Sequence, residues 1–206
     1  MAACSVTKLT PPSSLRFIVI FVRSSVELDM AVSAMSRHVM IAEAAPRLPK
    51  TARVFVWGFP GSKGYYDGTK LDDFNSEKSF KDGFGFTHMN TIALNEALVH
   101  HWAANGMTIA GFNPGLISTG IRDPLHGGGC MGSIIEGLVK LFNPSVDAYA
   151  KAMLPLFVAP ELVQTKGLLF HQDGSPIEGS PALDSATVEQ WIDAADSLLA
   201  RVPIAQ

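Results

Sequence analysis

The sequence predicts a doubly wound α/β domain with a mostly parallel sheet. Short apolar runs that are typical of strands alternate along the chain with longer segments of helical period. Helices between successive strands are typical of crossover connections, which join parallel strands and cover both faces of a sheet. A chain of 206 residues, 47% of them hydrophobic, suits one well-filled core. We therefore expect a single domain.

The first half of the chain supplies fewer regular elements than the second. Residues 1–25 have no sustained periodic pattern and are interpreted as an atypical leader, in which only residues 17–22 have the composition of a strand. Apolar residues at helical spacing predict a helix within 26–48, beginning near Ser24 or Ser25. A strand is predicted at 53–58, and the polar, glycine-containing segment 61–81 is expected to be a surface excursion.

The second half contains the strongest helical pattern. Residues 84–105 carry apolar side chains on two sides, which predicts packing against the sheet and against a second structure, and Asn105-Gly106 provides a C-terminal cap. The remaining predicted elements are a strand at 108–112, a helix after the glycine-rich stretch 127–132, a helix at 145–158, a strand at 168–170 and a helix at 186–201.

Composition excludes several classes of partner. The formal net charge of −3 and the dispersed basic residues provide no stripe for a phosphate backbone, so we expect no nucleic-acid partner. The apolar run at 17–22 is far shorter than the roughly 20 residues that a membrane helix needs. Cys4 and Cys130 are isolated, which predicts neither a disulfide framework nor a zinc site and favours a cytoplasmic location.

The position of the first glycine limits cofactor binding. A loop that cradles a dinucleotide diphosphate needs glycines for a tight turn and for close backbone approach. The first glycine of this sequence is Gly58. The first 57 residues therefore cannot supply such a loop.

Three motifs follow one another along the chain: the strand-to-turn run 53–58, the dipeptide Glu77-Lys78 ahead of a helix, and the turn 113–119. Their order and spacing resemble the second half of a short-chain dehydrogenase/reductase, in particular the retinol-dehydrogenase-like and fungal members. The resemblance implies a Rossmann-like fold that is incomplete at its N-terminal half. Residues 26–206 would then form the C-terminal part of a single domain.

The resemblance implies an NAD- or NADP-dependent oxidoreductase of small carbonyl or alcohol substrates, with a role in specialised metabolism. In that family a Tyr, assisted by a Lys one helical turn later, exchanges the proton. Counting without a gap from the second motif puts Phe86 at the Tyr position and Asn90 at the Lys position. The family's Ser falls on Gly58 or Phe59, and its Asn falls near Ser33. Because phenylalanine has no proton to give, we expect that the catalytic residues are not retained.

One part of the family's cofactor site has a counterpart here. Pro114, Gly115 and Thr119 match the turn that contacts the nicotinamide half of the cofactor. The alternative interpretation is an ordinary turn between a strand and a loop. Replacement of the missing proton donor by Tyr65 or Tyr66, in the loop after the strand, is a further alternative.

Other chemically suggestive patterns have simpler interpretations. Residues 127–132 match the pattern G-x-G-x-x-G, but no buried strand precedes them, so we expect a chance match. Glu96 and His100 share a helix face, which we expect to be solvated or to face another subunit, with no metal bound. Asp72 and Asp73, like Asp193 and Asp196, are expected to be solvated or to be helix-end charges, not a pair of acid–base carboxylates.

Three functions remain open from the sequence. The first is an oxidoreductase whose cofactor half lies outside this chain, and the second is a non-catalytic relative that binds a ligand or a partner subunit. The third is a truncated product without independent activity. The resemblance also implies a homodimer through helices 26–48 and 84–105.

Overall fold

The computed structural model describes residues 26–58, 61, 68–79, 84–115, 117 and 144–202; for residues 84–87 it describes the backbone alone. The predicted strand at 17–22, the leader and the stretch 127–132 lie outside these residues.

The described strands form one open, mostly parallel sheet. Strands β1 (Arg53–Trp57), β2 (Thr108–Phe112) and β3 (Leu168–Phe170) run parallel, and β4 (Pro176–Ile177) is antiparallel to β3. Their order in the sheet follows their order in the chain. The predicted α/β class with a mostly parallel sheet is confirmed. Strand β4 was not predicted, because two residues that include a proline carry no strand period.

The first helix, α1, is interrupted by a π-helical turn. It covers residues 28–47 and consists of α-helical Leu28–Met30, π-helical Ala31–Met35, α-helical Ser36–Ala44 and a 3₁₀ turn at Ala45–Arg47. The Glu27 carboxylate accepts hydrogen bonds from the backbone N–H groups of Asp29 and Met30. Because this cap fixes the start at Leu28, the sequence-based start near Ser24 or Ser25 is wrong.

Three other helices follow the predicted bounds closely: α2 (Phe84–Ala104), α3 (Val146–Val158) and α5, which covers Ser185–Ala200. A short helix between them, α4 (Glu161–Gln164), was not predicted. Helix α2 ends at Ala104, Gly106 two residues later has φ +90°, and the N–H of Met107 donates to the carbonyl of Trp102 at 2.9 Å. The predicted glycine cap is therefore confirmed.

Helix α2 is buried on two sides. Val99 packs with Val56 and Ile109 against the sheet, whereas Leu94 and Leu98 join a second cluster with side chains of α1 and α5. The two-sided packing predicted for this helix is confirmed. Its second partner is α5 of the same chain, so the apolar pattern is accounted for without another subunit, and the homodimer stays a prediction.

The opposite face of the sheet is covered by α3 and α4. Phe55, Phe112 and Phe170 pack there with Met153 and Leu162. This aromatic cluster and the cluster around Val99 enclose β2, all five residues of which are buried. A strand buried on both faces is typical of a parallel sheet between two helical layers.

The expected surface excursion is partly wrong. Residues 73–76 and 79 are buried, and the ring of Phe74 lies 5.6 Å from that of Trp191 on α5. The Asp73 carboxylate is not solvated, since it accepts hydrogen bonds from the backbone N–H groups of Lys78 and Ser79. Local side-chain bonds of this kind leave no periodic signal in a sequence, which explains the error.

No helix in the described parts of the chain combines enough length and apolar composition to cross a bilayer.

Replacing Leu98 with alanine tests the packing of α2. Leu98 is 0% exposed, so we expect Leu98→Ala to lower the free energy of unfolding by about 2–5 kcal/mol. Leu154→Ala is the matched control, because Leu154 on α3 is 66% exposed and its truncation is expected to change stability by about 0.5 kcal/mol or less. Urea denaturation measures both. Equal losses in the two variants would contradict the buried position of Leu98.

Candidate functional site

The carboxyl ends of β1 and β2 meet at one edge of the sheet. The N–H of Gly58, directly after β1, donates to the carbonyl of Phe112 at 3.2 Å, and the N–H of Asn113, directly after β2, donates to the carbonyl of Phe170 at 2.8 Å. Ligands of open α/β sheets bind in the crevice outside such ends. Polar side chains near this edge are therefore the first candidates for a ligand site.

Gly58 lies tightly against α2. A Cβ atom at this position would be 2.6 Å from the Cβ of Asn95, which is too close for any side chain unless the helix moves. Gly58 therefore occupies a place where the present packing has no room for a serine hydroxyl.

Six polar side chains line the contact between α1 and α2, and we call them the polar seam. They are Asp29, Ser33 and Arg37 on α1, spaced four residues apart, and His88, Thr91 and Asn95 on α2. Both sets share one face of their helix. The seam therefore joins the two helices through hydrogen bonds, and its Asn95 lies against Gly58 at the end of β1.

Asp29 is the centre of one half of the seam, which we call the outer half and which includes the side chains of Ser33, His88 and Thr91. Its Oδ1 accepts from the Ser33 hydroxyl at 2.7 Å, and its Oδ2 lies 2.8 Å from Nδ1 of His88 and accepts from the Thr91 hydroxyl at 3.1 Å. Burial raises the pKa of Asp29, but these three hydrogen bonds and the charge of His88 outweigh it and hold the pKa below its ordinary value of 3.8. The carboxylate is therefore ionised at neutral pH.

Asn95 is the centre of the other half, the inner half, which includes Arg37 and the backbone carbonyl of Ser33. Its Nδ2 donates to the carbonyls of Ser33, at 2.9 Å, and Thr91, at 3.0 Å, while its Oδ1 accepts from Arg37 at 3.3 Å. Ser33 lies within the π-helical turn, a type of turn that is frequent at functional sites. Burial lowers the pKa of Arg37, and the nearby charge of Asp29 opposes that effect.

The structure separates the residues that the family resemblance selects. Ser33 and Gly58 both lie against Asn95. Asn90 instead bonds the excursion: its Oδ1 accepts from the N–H of Lys70 at 2.8 Å, and its Nδ2 donates to three carbonyls, those of Lys70, Asp73 and Phe74. Phe86 lies on α2 with its side chain outside the described atoms, whereas Phe59, Tyr65, Tyr66 and Thr119 lie wholly outside the described residues. The predicted loss of the catalytic residues stays a prediction.

The turn after β2 offers a limited fit to a nicotinamide cofactor. Gly115 has φ +59°, and a Cβ atom there would collide with the side chain of Gln172. The Oε1 atom of Gln172 is buried without a hydrogen-bond partner, so one ligand N–H group would satisfy it. The contact of Pro114 and Gly115 with a nicotinamide stays a prediction, and the described residues contain no glycine-rich turn for a diphosphate.

Glu96 is buried, which contradicts the expected solvated face. Its side chain is 0% exposed, and its carboxylate accepts from the N–H groups of Gly61 and, at 2.6 Å, Ser180, with Nε2 of His100 at 3.4 Å. These two backbone donors compensate part of the cost of burying the carboxyl group. Across the described residues no group of three or more His, Cys, Asp or Glu side chains could hold a metal ion.

Sequence reasoning missed four members of the seam: Asp29, Arg37, Thr91 and Asn95, together with the role of His88. A signal existed in the spacing of polar residues on two helices that are otherwise apolar. It became informative only once the two helices were known to pack face to face.

Asp29→Asn tests the charge in the seam. Because the pKa of Asp29 is lower in the folded than in the unfolded protein, its contribution to stability is present above pH 3.8 and is lost as the pH falls through the folded value. We expect the variant to lose about 1–3 kcal/mol at pH 7 and progressively less below pH 3.8. Urea denaturation at several pH values measures the difference, with the exposed Asp193→Asn as control. A loss of stability in Asp29→Asn that did not vary with pH would contradict this origin.

Comparison with known proteins gives one relative of substantial identity. A protein of Saccharomyces cerevisiae named as an uncharacterized oxidoreductase is 34% identical over 183 residues, which cover 84% of this chain. The match covers 58% of the yeast protein, so the chain spans less than two thirds of that relative's length. No protein-family model matches the chain.

Proposed function

We propose that this chain supplies the substrate side of an NAD- or NADP-dependent oxidoreductase of the short-chain dehydrogenase/reductase type. The proposed substrates are small carbonyl compounds or alcohols of specialised metabolism. The observation that carries the proposal is the polar seam, whose Asn95 lies against Gly58 at the carboxyl end of β1. The carboxyl edge of a parallel sheet is the usual place of a ligand in such a fold. Similarity to a protein named as an oxidoreductase supports the same reaction class.

The positions of the glycines limit which part of the cofactor this chain is proposed to bind. Pro114 and Gly115, with Thr119, are the residues proposed to contact the nicotinamide side. With no glycine before Gly58, this chain has no loop of the usual kind for the diphosphate. We infer that the chain by itself does not transfer hydride. The separated cysteines favour a cytoplasmic location.

The alternative is a non-catalytic relative that binds a partner subunit, including a second copy of this chain. Helix α1 exposes Val32 and Met40 by 63% and 61%, and large apolar residues at such exposure suit a contact surface. Gel filtration, which measures the oligomeric state, tests this alternative. A monomer at all concentrations would count against it.

Calorimetric titration with NAD(H) and NADP(H) tests the proposed cofactor limit. We expect no binding of micromolar affinity by the 206-residue chain, because the diphosphate lacks its backbone donors. A dehydrogenase with a complete glycine-rich loop is the positive control. Micromolar affinity for either cofactor would contradict our interpretation of the glycines.

A further inference from the structure

An apolar groove lies between α1 and the end of α5. Its volume is about 400 Å³. The apolar residues that line it include Val26, Met35, Val39, Met40, Leu199 and Val202. Ser36 is the polar residue of the lining, and its hydroxyl group donates a hydrogen bond to the carbonyl of Val32 within α1. An occupant of the groove would therefore be held by apolar contacts.

The groove is open, and part of its apolar lining is in contact with water. Met40 and Leu199 are large apolar residues with exposed side chains, and so is the neighbouring Val32. Exposed apolar side chains that lie together mark an interaction surface. A cavity left by truncation of one buried leucine measures about 150 Å³, so the groove has room for two or three apolar side chains.

Two segments outside the described residues are attached to this groove, because Val26 and Val202 are the first and the last described residues. Residues 203–206 carry one large aliphatic side chain, that of Ile204, which would fill only part of the volume. Residues 17–22 are six consecutive large apolar residues, and three residues connect them to Val26. The N-terminal segment therefore fits the groove better.

The length of the groove also suits this segment. Along α1 the lining extends from Ala31 to Met40, which corresponds to about 14 Å at a rise of about 1.5 Å per residue. Residues 18–22 in extended form span about 13 Å. Residues 23–25 would reverse the chain ahead of α1, which brings residue 22 near the start of the helix and Ile18 near Met40.

Covalent attachment favours this segment over a second copy of the chain. A segment joined to one wall of the groove by a short connection has an effective concentration in the millimolar range. A second copy competes only at the concentration of the protein in solution. The attached segment would therefore occupy the groove first.

We propose that residues 17–22 of this chain bind in the groove between α1 and α5, extended and antiparallel to α1. The bound segment covers Met40 and Leu199, two of the exposed apolar side chains of this surface. It thereby occupies the part of α1 that the alternative function assigns to a partner subunit. The proposal goes beyond the oxidoreductase function and does not depend on it.

Disulfide formation between introduced cysteines tests the proposal. The native cysteines are first removed by Cys4→Ser and Cys130→Ser. Met40→Cys is then combined with either Ile18→Cys or Val19→Cys, because adjacent residues of an extended segment point to opposite sides. We expect one of the two pairs to form an intrachain disulfide about tenfold faster than the other, since the bond requires Cβ atoms about 4 Å apart.

Val158→Cys takes the place of Met40→Cys in the control chains. Val158 is 73% exposed and lies at the end of α3, on the opposite face of the sheet. Both positions are exposed, so neither substitution is expected to unfold the chain. We expect only slow cross-linking in the control chains. Electrophoresis without reductant separates intrachain disulfides from linked dimers.

Polar substitutions in the segment give a second, independent measurement. Val19→Asn combined with Ile20→Asn makes both sides of the segment polar, and the matched control is Thr7→Asn combined with Thr10→Asn. We expect the first variant to raise the fluorescence of anilinonaphthalene sulfonate several-fold, because this dye binds exposed apolar surface. The control should leave the fluorescence unchanged, and circular dichroism should show the same helical content in both variants.

The outcomes decide between the possible occupants. Fast intrachain cross-linking to Met40→Cys together with the rise in dye fluorescence would support the proposal. Cross-linking no faster at Met40→Cys than at Val158→Cys would overturn it, as would unchanged dye fluorescence in the first polar variant. Linked dimers as the main product would also overturn it and would identify a second copy as the occupant. Neither measurement uses a cofactor or a substrate, so the result is independent of the proposed function.

Discussion

The structure depends on the burial of helix α2 on two sides. Ala93, Leu94, Ala97, Leu98 and Val99 are all 0% exposed, so this one helix contributes to the sheet cluster and to the cluster formed with α1 and α5. Each leucine buried in this way stabilises the fold by about 1.5–3 kcal/mol, and the alanines let neighbouring helices approach closely. The same helix carries His88, Thr91 and Asn95. The polar seam therefore includes three residues of a helix whose core-facing side chains are fully buried.

This arrangement explains why the seam is polar without destabilising the fold. Every one of its charged side chains has a partner across the helix contact, and Asn95 bonds the π-helical turn through the carbonyl of Ser33. Buried polar groups that are fully bonded cost little, whereas a single missing partner is expensive. The six residues thus depend on one another, and the geometry at the strand ends follows from all of them together.

Much of the fold could be predicted from the sequence, but little of the candidate site could. The apolar runs of β1, β2 and β3 and the cap at Gly106 have local signals, because burial and glycine conformation act over a few residues. The burial of Asp73 and Glu96 has none. Asp73 is bonded by backbone N–H groups five and six residues later, which leaves no periodic pattern, and Glu96 is bonded by the backbone of Ser180, 84 residues away. Asn90, selected as a catalytic position by alignment, instead holds Lys70, Asp73 and Phe74. Matching the sequence to a family motif places Asn90 on a helix, but it does not show which groups its side chain bonds.

The carboxylate of Glu96 has a mechanical consequence. It bonds the backbone after β1, at Gly61, and the backbone after β4, at Ser180, although β1 and β4 are the outer strands of the described sheet. The two segments are thereby fastened to a single point on α2. A displacement at one border of the sheet would be transmitted to the other through one side chain, so the two borders should open and close as a unit.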